Sequence, residues 1–409
     1  MARDGLVARR RQLGLSQADL AARINVAVST VARVERGEQT PQAYNRRRWA
    51  EALEASLGEL DRLLAGDEAV AGRWGWTTVE APDLGDVEAI ELIRRVEASD
   101  AGRATLDALE RGVDRLCRSY TNTPPADLLE PLRAYRSYVV QLLDGHVTLA
   151  QRRDLMVLAG WLSLMTAICA IDVHRYRTAA SNLDAARALG HEAGYPTLAA
   201  WAAETEAWQA VTDGRHDVAA RLCRAGRDLA PADTSVHVQL SVQEARASAR
   251  LGLTAETHQL LDDAATALDR MPAPEHPEHH FVFDPRKLIG YTATTLAWLD
   301  DDKALAEDYA RQAVAQYDVG AADGRWLRRL AAARVDLALV LARGDQPAEA
   351  GQLGGLAIAS GRMVPSNLWR LDELDREMTG RYGRTAEVDE FHDVYLDARQ
   401  AMVALPRGS

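Results

Sequence analysis

The sequence predicts an all-α protein with a small basic head and a long acidic body. Three observations carry that expectation. From Val87 onward apolar residues recur at three- and four-residue spacing, and strand-like alternation is scarce. Small residues return at fixed offsets in segments about 40 residues apart, as in a stacked helical array. Charge is uneven: residues 1–48 hold ten Arg and four acids, a balance of +6, while the 409-residue chain carries −12, so the remainder carries −18. A basic head on an acidic body is the asymmetry of a nucleic-acid reader joined to something that does not touch DNA. The length suggests two or more domains, and a hydrophobic content of 47% supplies ample core material.

In the head, Ser16 is placed to cap a helix over Gln17–Ile24, with Asp19 favouring the positive end of its first turn. Asn25 suits the left-handed residue of a tight turn. A second helix is expected from about Val28 to Arg36, ended by Gly37, and two more around Tyr44–Ala55 and Leu57–Leu64. Leu20, Ala21, Ile24, Val26, Val31 and Val34 form the inward set. Val28, Ser29, Ala32 and Arg33 are left on the outer face of the second helix, which is of a size to enter a major groove.

Arg10, Gln12-Leu13-Gly14-Leu15-Ser16-Gln17, Leu20-Ala21, Val26, Ser29-Thr30-Val31 and Arg33-Val34-Glu35-Arg36-Gly37 resemble the phage-repressor-like helix-turn-helix family of the xenobiotic-response-element type. The resemblance spans residues 3–66 and implies a five-helix DNA-binding domain, taken as residues 1–66. It gives Gln17 and Arg36 phosphate contacts and places Val28, Ser29, Thr30, Ala32 and Arg33 in the DNA-contacting set. It matches Arg10 and Glu35 to a buried structural ion pair. Two features depart from the family pattern. Ala27 stands where a Ser or Thr cap is frequent, and Val28 and Ala32 are apolar where polar readers are frequent. Both apolar residues can pack on thymine methyls, and Arg33 is the residue suited to bidentate bonds with guanine O6 and N7.

Residues 67–86, with Gly72, Gly75, Pro82 and Gly85, read as a linker in which Trp74 and Trp76 dock onto a domain. The body is taken as residues 87–404. Leu155–Ile171 is a run of 17 uncharged residues between Asp154 and Asp172. At 1.5 Å per residue it reaches about 25 Å, short of the ~30 Å membrane core, and reads as a helix buried within the array. The repeats show in Ala179, Leu183 and Ala186; in Gly214, Ala219 and Pro231; in Gly252 and Ala264; in Asp301, Ala306 and Ala313; and in Ala350 and Ala357. These offsets resemble degenerate tetratricopeptide-like hairpins over roughly residues 165–365 and imply an α-solenoid with a concave binding surface.

The array is interrupted by MPAPEHPEHHFVFDPRK, Met271–Lys287. One reading lines the concave face with this loop, Phe281 and Phe283 as apolar walls and His280, Asp284, Arg286, Lys287 and Tyr291 as further contacts. The other makes it filler between hairpins. His276, His279 and His280 invite a metal, but the spacing matches no ligand motif and adjacent His279 and His280 seldom hold one ion. In VPSNLWR, Ser366 is placed to cap a helix whose first turn carries Asn367, Trp369 and Arg370, a second candidate ligand contact for a carboxylate. Cys117, Cys169 and Cys223 form no close pair and read as buried thiols of a reducing cytosol. No Walker loop, GxGxxG, GxSxG or metalloprotease helix occurs, so neither an enzyme nor a cofactor is expected. The first residues lack an apolar signal core, and Leu405–Ser409 resembles a protease-site remnant.

The combination is similar in layout to the peptide-pheromone-responsive regulators of Gram-positive bacteria and to actinobacterial regulators of the same build. It implies a cytoplasmic transcriptional regulator, a repressor, that binds a palindromic DNA operator as a homodimer and senses a peptide or small molecule in its body. The alternative is a protein-interaction scaffold or a constitutive repressor whose repeats only dimerise. The acidic body favours a basic or neutral ligand.

Overall fold

The computed structural model describes residues 3–39, 41, 43–55, 59–60, 63–64, 84–97, 101–299, 303–321 and 326–403. The chain divides into two units, one made of the head, Met1–Thr78, with Pro272–Glu275, and one, the body, made of Val79–Met271 and His276–Ser409. Trp74, Trp76 and Leu405–Ser409 lie outside the described residues, and with them the expectation that the two tryptophans dock.

The head has α1 (Asp4–Gln12), α2 (Gln17–Ile24), α3 (Val28–Glu35) and α4 (Ala43–Ala52). Residues 59–60 and 63–64 are helical as well, where a fifth helix is expected. Ser16 and Asp19 form a reciprocal capping box: Ser16 Oγ accepts the Asp19 N–H at 3.1 Å and the Asp19 carboxylate accepts the Ser16 N–H at 2.8 Å. Asn25 turns the chain at φ 56°, ψ 53°. Ala27, as the residue preceding α3, supplies no side-chain cap. Leu6, Leu20, Ile24, Val31, Val34, Trp49, Leu53 and Leu60 are enclosed in one core, each worth ~1.5–3 kcal/mol of burial before entropy is counted.

The body is built of α5 (Leu84–Glu97), α6 (Arg103–Ser119), α7 (Pro125–Leu143), α8 (Leu149–Asp172), α9 (Tyr176–Glu192), α10 (Thr197–Thr212), α11 (His216–Leu229), α12 (Ser235–Arg250), α13 (Thr254–Asp269), α14 (Pro285–Leu296), α15 (Lys303–Ala321), α16 (Leu327–Arg343), α17 (Pro347–Ala359), α18 (Leu368–Tyr382) and α19 (Ala386–Val403). No strand occurs among the described residues. From α8 to α17 the helices pair as hairpins, and the first helix of each hairpin also packs on the first helix of the next. This is an α-solenoid. Its inner helices are hemmed in on most sides: in α12, every residue from Val238 to Ala249 is buried. An outer helix such as α11 buries only Ala219, Ala220, Cys223 and Gly226 along one stripe.

The hairpin turns share one geometry. His174, Gly214, Gly252 and Asp345 all take positive φ, between 59° and 73°. The next residue's N–H, from Arg175, Arg215, Leu253 or Gln346, bonds to Ala170, Ala210, Ser248 or Leu341 at 2.7–3.0 Å. His and Asp are among the few non-glycine residues that tolerate this region. Five and twelve residues after each turn residue stand small or compact side chains: Ala179 and Ala186, Ala219 and Gly226, Thr257 and Ala264, Ala350 and Ala357. At Gly226 a Cβ would lie 2.9 Å from Leu240, so α11 and α12 approach closely enough to need the hydrogen.

Helix α8 is longer than the apolar run suggests. Thr148 and Gln151 form a capping box that starts it at Leu149, giving 24 residues, about 36 Å at 1.5 Å per residue. It is long and apolar enough to cross a membrane, with mean hydropathy 1.9, and 78% of that stretch is buried. Helices α6, α7, α9 and α10 pack around it. Cys117, Cys169 and Cys223 are buried free thiols.

Candidate functional site

The head presents α3 outward. Val31, Val34 and Glu35 face the core. Val28, Ser29, Arg33 and Arg36 are exposed and Thr30 and Ala32 half-buried. The Arg33 guanidinium leans back along the helix, its Nε donating to Ser29 O at 3.3 Å; among the described residues it makes no ion pair, Glu38 lying only near enough for their charges to act on one another. Helix α3 ends cleanly, with Gly37 N bonded to Val34 O at 3.0 Å and Glu38 N to Arg33 O at 2.9 Å. Arg36 pairs with Glu38 at 2.6 Å in solvent, where an exposed ion pair is weak and screened by salt.

Beneath this face the Arg10–Glu35 pair is as the resemblance implies. Arg10 Nε and Nη2 reach the two Glu35 oxygens at 2.5 and 3.2 Å, and Nη1 donates to Leu15 O at 2.7 Å. Gln17, half-buried at the start of α2, joins this pair: its Nε2 donates to Glu35 Oε2 at 2.6 Å. Two other head arginines hold backbone. Arg3 donates to Val34 O and Gln39 O, and Arg9 to Leu53 O and Glu54 O. The positive charge left exposed includes Arg11, Arg23, Arg33 and Arg36.

The body holds a cavity of about 260 Å³ on the inner face of the solenoid. Of the residues singled out in the sequence, His280, Lys287, Tyr291, Asn367 and Arg370 line it; Phe281, Phe283, Asp284 and Trp369 do not. Phe281 is wedged between Trp161 and Trp201, with ring centroids 4.7 and 5.2 Å away. Phe283 is fully buried beside Tyr291. Phe283 is therefore core, and Phe281, though packed between the two tryptophans, walls a second cavity rather than this one. Asp284 caps α14 through the Arg286 N–H at 3.1 Å and pairs with Arg329 at 2.8 Å. Ser366 caps nothing: its hydroxyl donates to Asp172 at 2.6 Å, and a 3-10 turn, Pro365–Asn367, precedes α18. Trp369 packs against Trp298, with ring centroids 5.8 Å apart and planes tilted by 45°. Arg370 holds both oxygens of Asp336, at 2.5 and 2.7 Å.

Most of the cavity's charged wall escaped the sequence reading. Asp172, Glu204, Gln239, Arg246, Arg328 and Asp336 come from α8, α10, α12 and α16. Arg246 is 3% exposed. It donates to Gln243 Oε1 at 2.8 Å, and its Nε has no partner. Its guanidinium lies over Tyr291 and Trp298, at 5.5 and 5.3 Å. Lys287 keeps some accessible surface on the cavity side and donates to His280 O and Val282 O, at 3.2 and 2.7 Å. Gln239 bridges Glu204 and the Tyr291 hydroxyl through Nε2, and its Oε1 has no partner.

Burial sets the protonation of this wall. It pushes Glu204 up to about 7, against the opposing pull of Gln239, Lys287 and Arg246. It lowers Lys287 to about 7, assisted by Arg329, and Arg246 to about 10, assisted by Arg370. Burial also raises Asp172, which accepts from Tyr120 and Ser366, and lowers His280 well below the ordinary imidazole value.

The three histidines point apart. His276 lies 3.4 Å from Glu278, His279 3.8 Å from Asp114, and His280 edge-on to Tyr120. Among the described residues no group of three His, Cys, Asp or Glu is placed to hold a metal ion. A second cavity, about 500 Å³, is walled by Glu110, Asp114, Asp154, Trp161, Tyr195 and Phe281 among others. Every buried side-chain nitrogen and oxygen described on its wall has a partner.

No curated protein and no solved structure matches the chain. Residues 6–60 match the model of the helix-turn-helix family. That match, with the exposed α3 and the buried pair beneath it, makes the head a helix-turn-helix domain of the xenobiotic-response-element type and the protein a DNA-binding transcription regulator.

Proposed function

We propose that the protein is a cytoplasmic repressor that binds a palindromic operator as a homodimer and senses a small molecule in its body, without catalysis of its own. The observation that carries the reading is the outward face of α3. Val28, Ser29 and Arg33 stand exposed on a helix whose opposite side is locked to the core, the arrangement that inserts a reading edge into a major groove. Two heads held by the bodies would meet half-sites ~34–36 Å apart. A ligand that favours one body conformation would change that spacing by its differential affinity. The tetratricopeptide-like turn and small-residue pattern supports a ligand-binding solenoid. The cavity of about 260 Å³ suits a small molecule better than a peptide, being below the ~300–1,000 Å³ of drug-sized pockets.

The test is binding by the full chain and by residues 1–68 to the DNA upstream of the protein's own gene, across salt concentrations. The reading expects tight binding of the full chain to a two-fold site, weakened strongly in the fragment. Equal, sequence-blind binding by both would contradict it.

A further inference from the structure

The cavity of the body carries an imbalance of paired and unpaired charge. Five cations line it, Arg246, Lys287, Arg328, Arg329 and Arg370, against the carboxylates of Asp172, Glu204 and Asp336. Two of the cations are neutralised within the chain: Arg370 by Asp336, and Arg329 by Asp284. Among the described residues no carboxylate makes a hydrogen-bonded ion pair with Arg246, Lys287 or Arg328, although Glu204 lies near enough to Arg246 and Lys287, and Asp172 to Arg328, for their charges to act on one another. Lys287 donates only to main-chain carbonyls, and Arg328 donates to Thr123 O while its Nη1 lacks a partner. Asp172 already accepts two hydroxyls. Arg246 is buried and Lys287 and Arg328 are half-buried; cations drawn out of water with no bonded carboxylate are costly to the fold, and three of them around one cavity are the complement of an anion.

The rest of the wall shapes the remainder of that anion. Tyr120, Trp201, Trp208, Tyr291 and Ile168 are flat or apolar surfaces. Gln239, 5% exposed, has an acceptor oxygen without a partner, beside Glu204. We propose that the cavity binds a small, flat organic acid, its oxyanion taken by Arg246 and Lys287 and a donor group on the same molecule taken by Gln239 and Glu204. The oxyanion is a carboxylate or a phosphate monoester; both present the acceptor pair that a guanidinium fork matches. The assignment reverses the preference for a basic or neutral ligand drawn from net charge, because the acidic surface of the solenoid is not the lining of its cavity. It deepens the sensing reading above and rests on it only for the consequence at DNA.

The experiment uses the full chain at pH 7 with five probes: 4-hydroxybenzoate, benzoate, phenyl phosphate, benzamide and benzylamine. Thermal melting and calorimetric titration read binding, and operator affinity is measured in parallel. At least one of the acids is expected to raise the melting temperature, with benzamide and benzylamine inert. The benzoates and phenyl phosphate tell carboxylate from phosphate. R246M and K287M are each expected to weaken that acid about tenfold or more, as loss of a charge-assisted hydrogen bond does. Each variant's own melting curve checks that it folds. Binding of benzamide or benzylamine as strongly as the acids, no response to any acid, or undiminished acid binding in both variants would overturn the proposal. An acid that binds without changing operator affinity would leave the anion site standing and remove the sensing role. A neutral or cationic probe that changes operator affinity would do the reverse.

Discussion

Both regions of the protein bury an arginine, and they treat it in opposite ways. In the head, Arg10 meets both oxygens of Glu35 and the carbonyl of Leu15, and Gln17 takes the remaining side of the carboxylate. In the body, Arg246 is as deeply enclosed, yet it has one donated bond, two aromatic faces and a bare Nε. The first arrangement repays the desolvation of its charge within the chain and holds α1, α2 and α3 in register beneath the reading face. The second forms no such pair, and an enclosed charge of this kind at the wall of a cavity is what the proposed anion site rests on.

The sharpest way to break that contrast is to remove the two arginines in turn. R10M strands a buried Glu35 and is expected to destabilise the head by about 3–5 kcal/mol, read by denaturant unfolding. R246M breaks no ion pair but takes the donor from the buried Gln243 Oε1, and is expected to cost the body no more than about 1–2 kcal/mol. Similar losses in both would erase the distinction.

The next effect lies in the cavity and depends on pH. The folded Glu204 carboxyl titrates at about 7 against an ordinary 4.5. The folded state therefore holds a proton that the unfolded state has released. The stability so contributed is full below the ordinary value and is lost as pH rises through the folded one. Lys287, lowered to about 7 from an ordinary 10.5, acts in the other direction, costing stability as pH falls from 10.5 toward 7. E204Q is expected to match the wild type at pH 4.5 and to exceed it at pH 8 by about 3 kcal/mol. Equal stabilities at both pH values would show Glu204 to be ionised and paired.

Smaller effects sharpen the head. R33A is expected to weaken a selected operator by about 1–3 kcal/mol and to relax preference at one base pair, measured by competition among single-base variants. A27S supplies the side-chain cap that α3 lacks and is expected to add about 1 kcal/mol to head stability, with unfolding midpoints as the readout.

The head was largely legible because its determinants are local. The Ser16–Asp19 box, the left-handed Asn25, the missing cap at Ala27 and the stop at Gly37 each depend on residues within a few positions. The hairpin turns and their small residues were legible for the same reason. The cavity was not, since its wall is gathered from α8, α10, α12, α14 and α16. A signal was present in SVQEARAS, where Gln243, Glu244, Arg246 and Ser248 stand in an inner helix that the array must bury. Polar residues in such a helix have to face either a partner or a cavity. Ser366 failed as a cap because its partner, Asp172, is remote in sequence. Net charge and the cavity lining point to different ligands because net charge sums over surface that a molecule in the cavity would not meet.

The account stands most directly on the reading edge of α3. Selection of the full-length protein against a random duplex library, repeated with R33A, tests it. The account predicts a two-fold site containing a guanine that the wild type requires and R33A no longer selects. Enrichment of no sequence by the wild type, or of the same sequence with the same guanine by R33A, would contradict it.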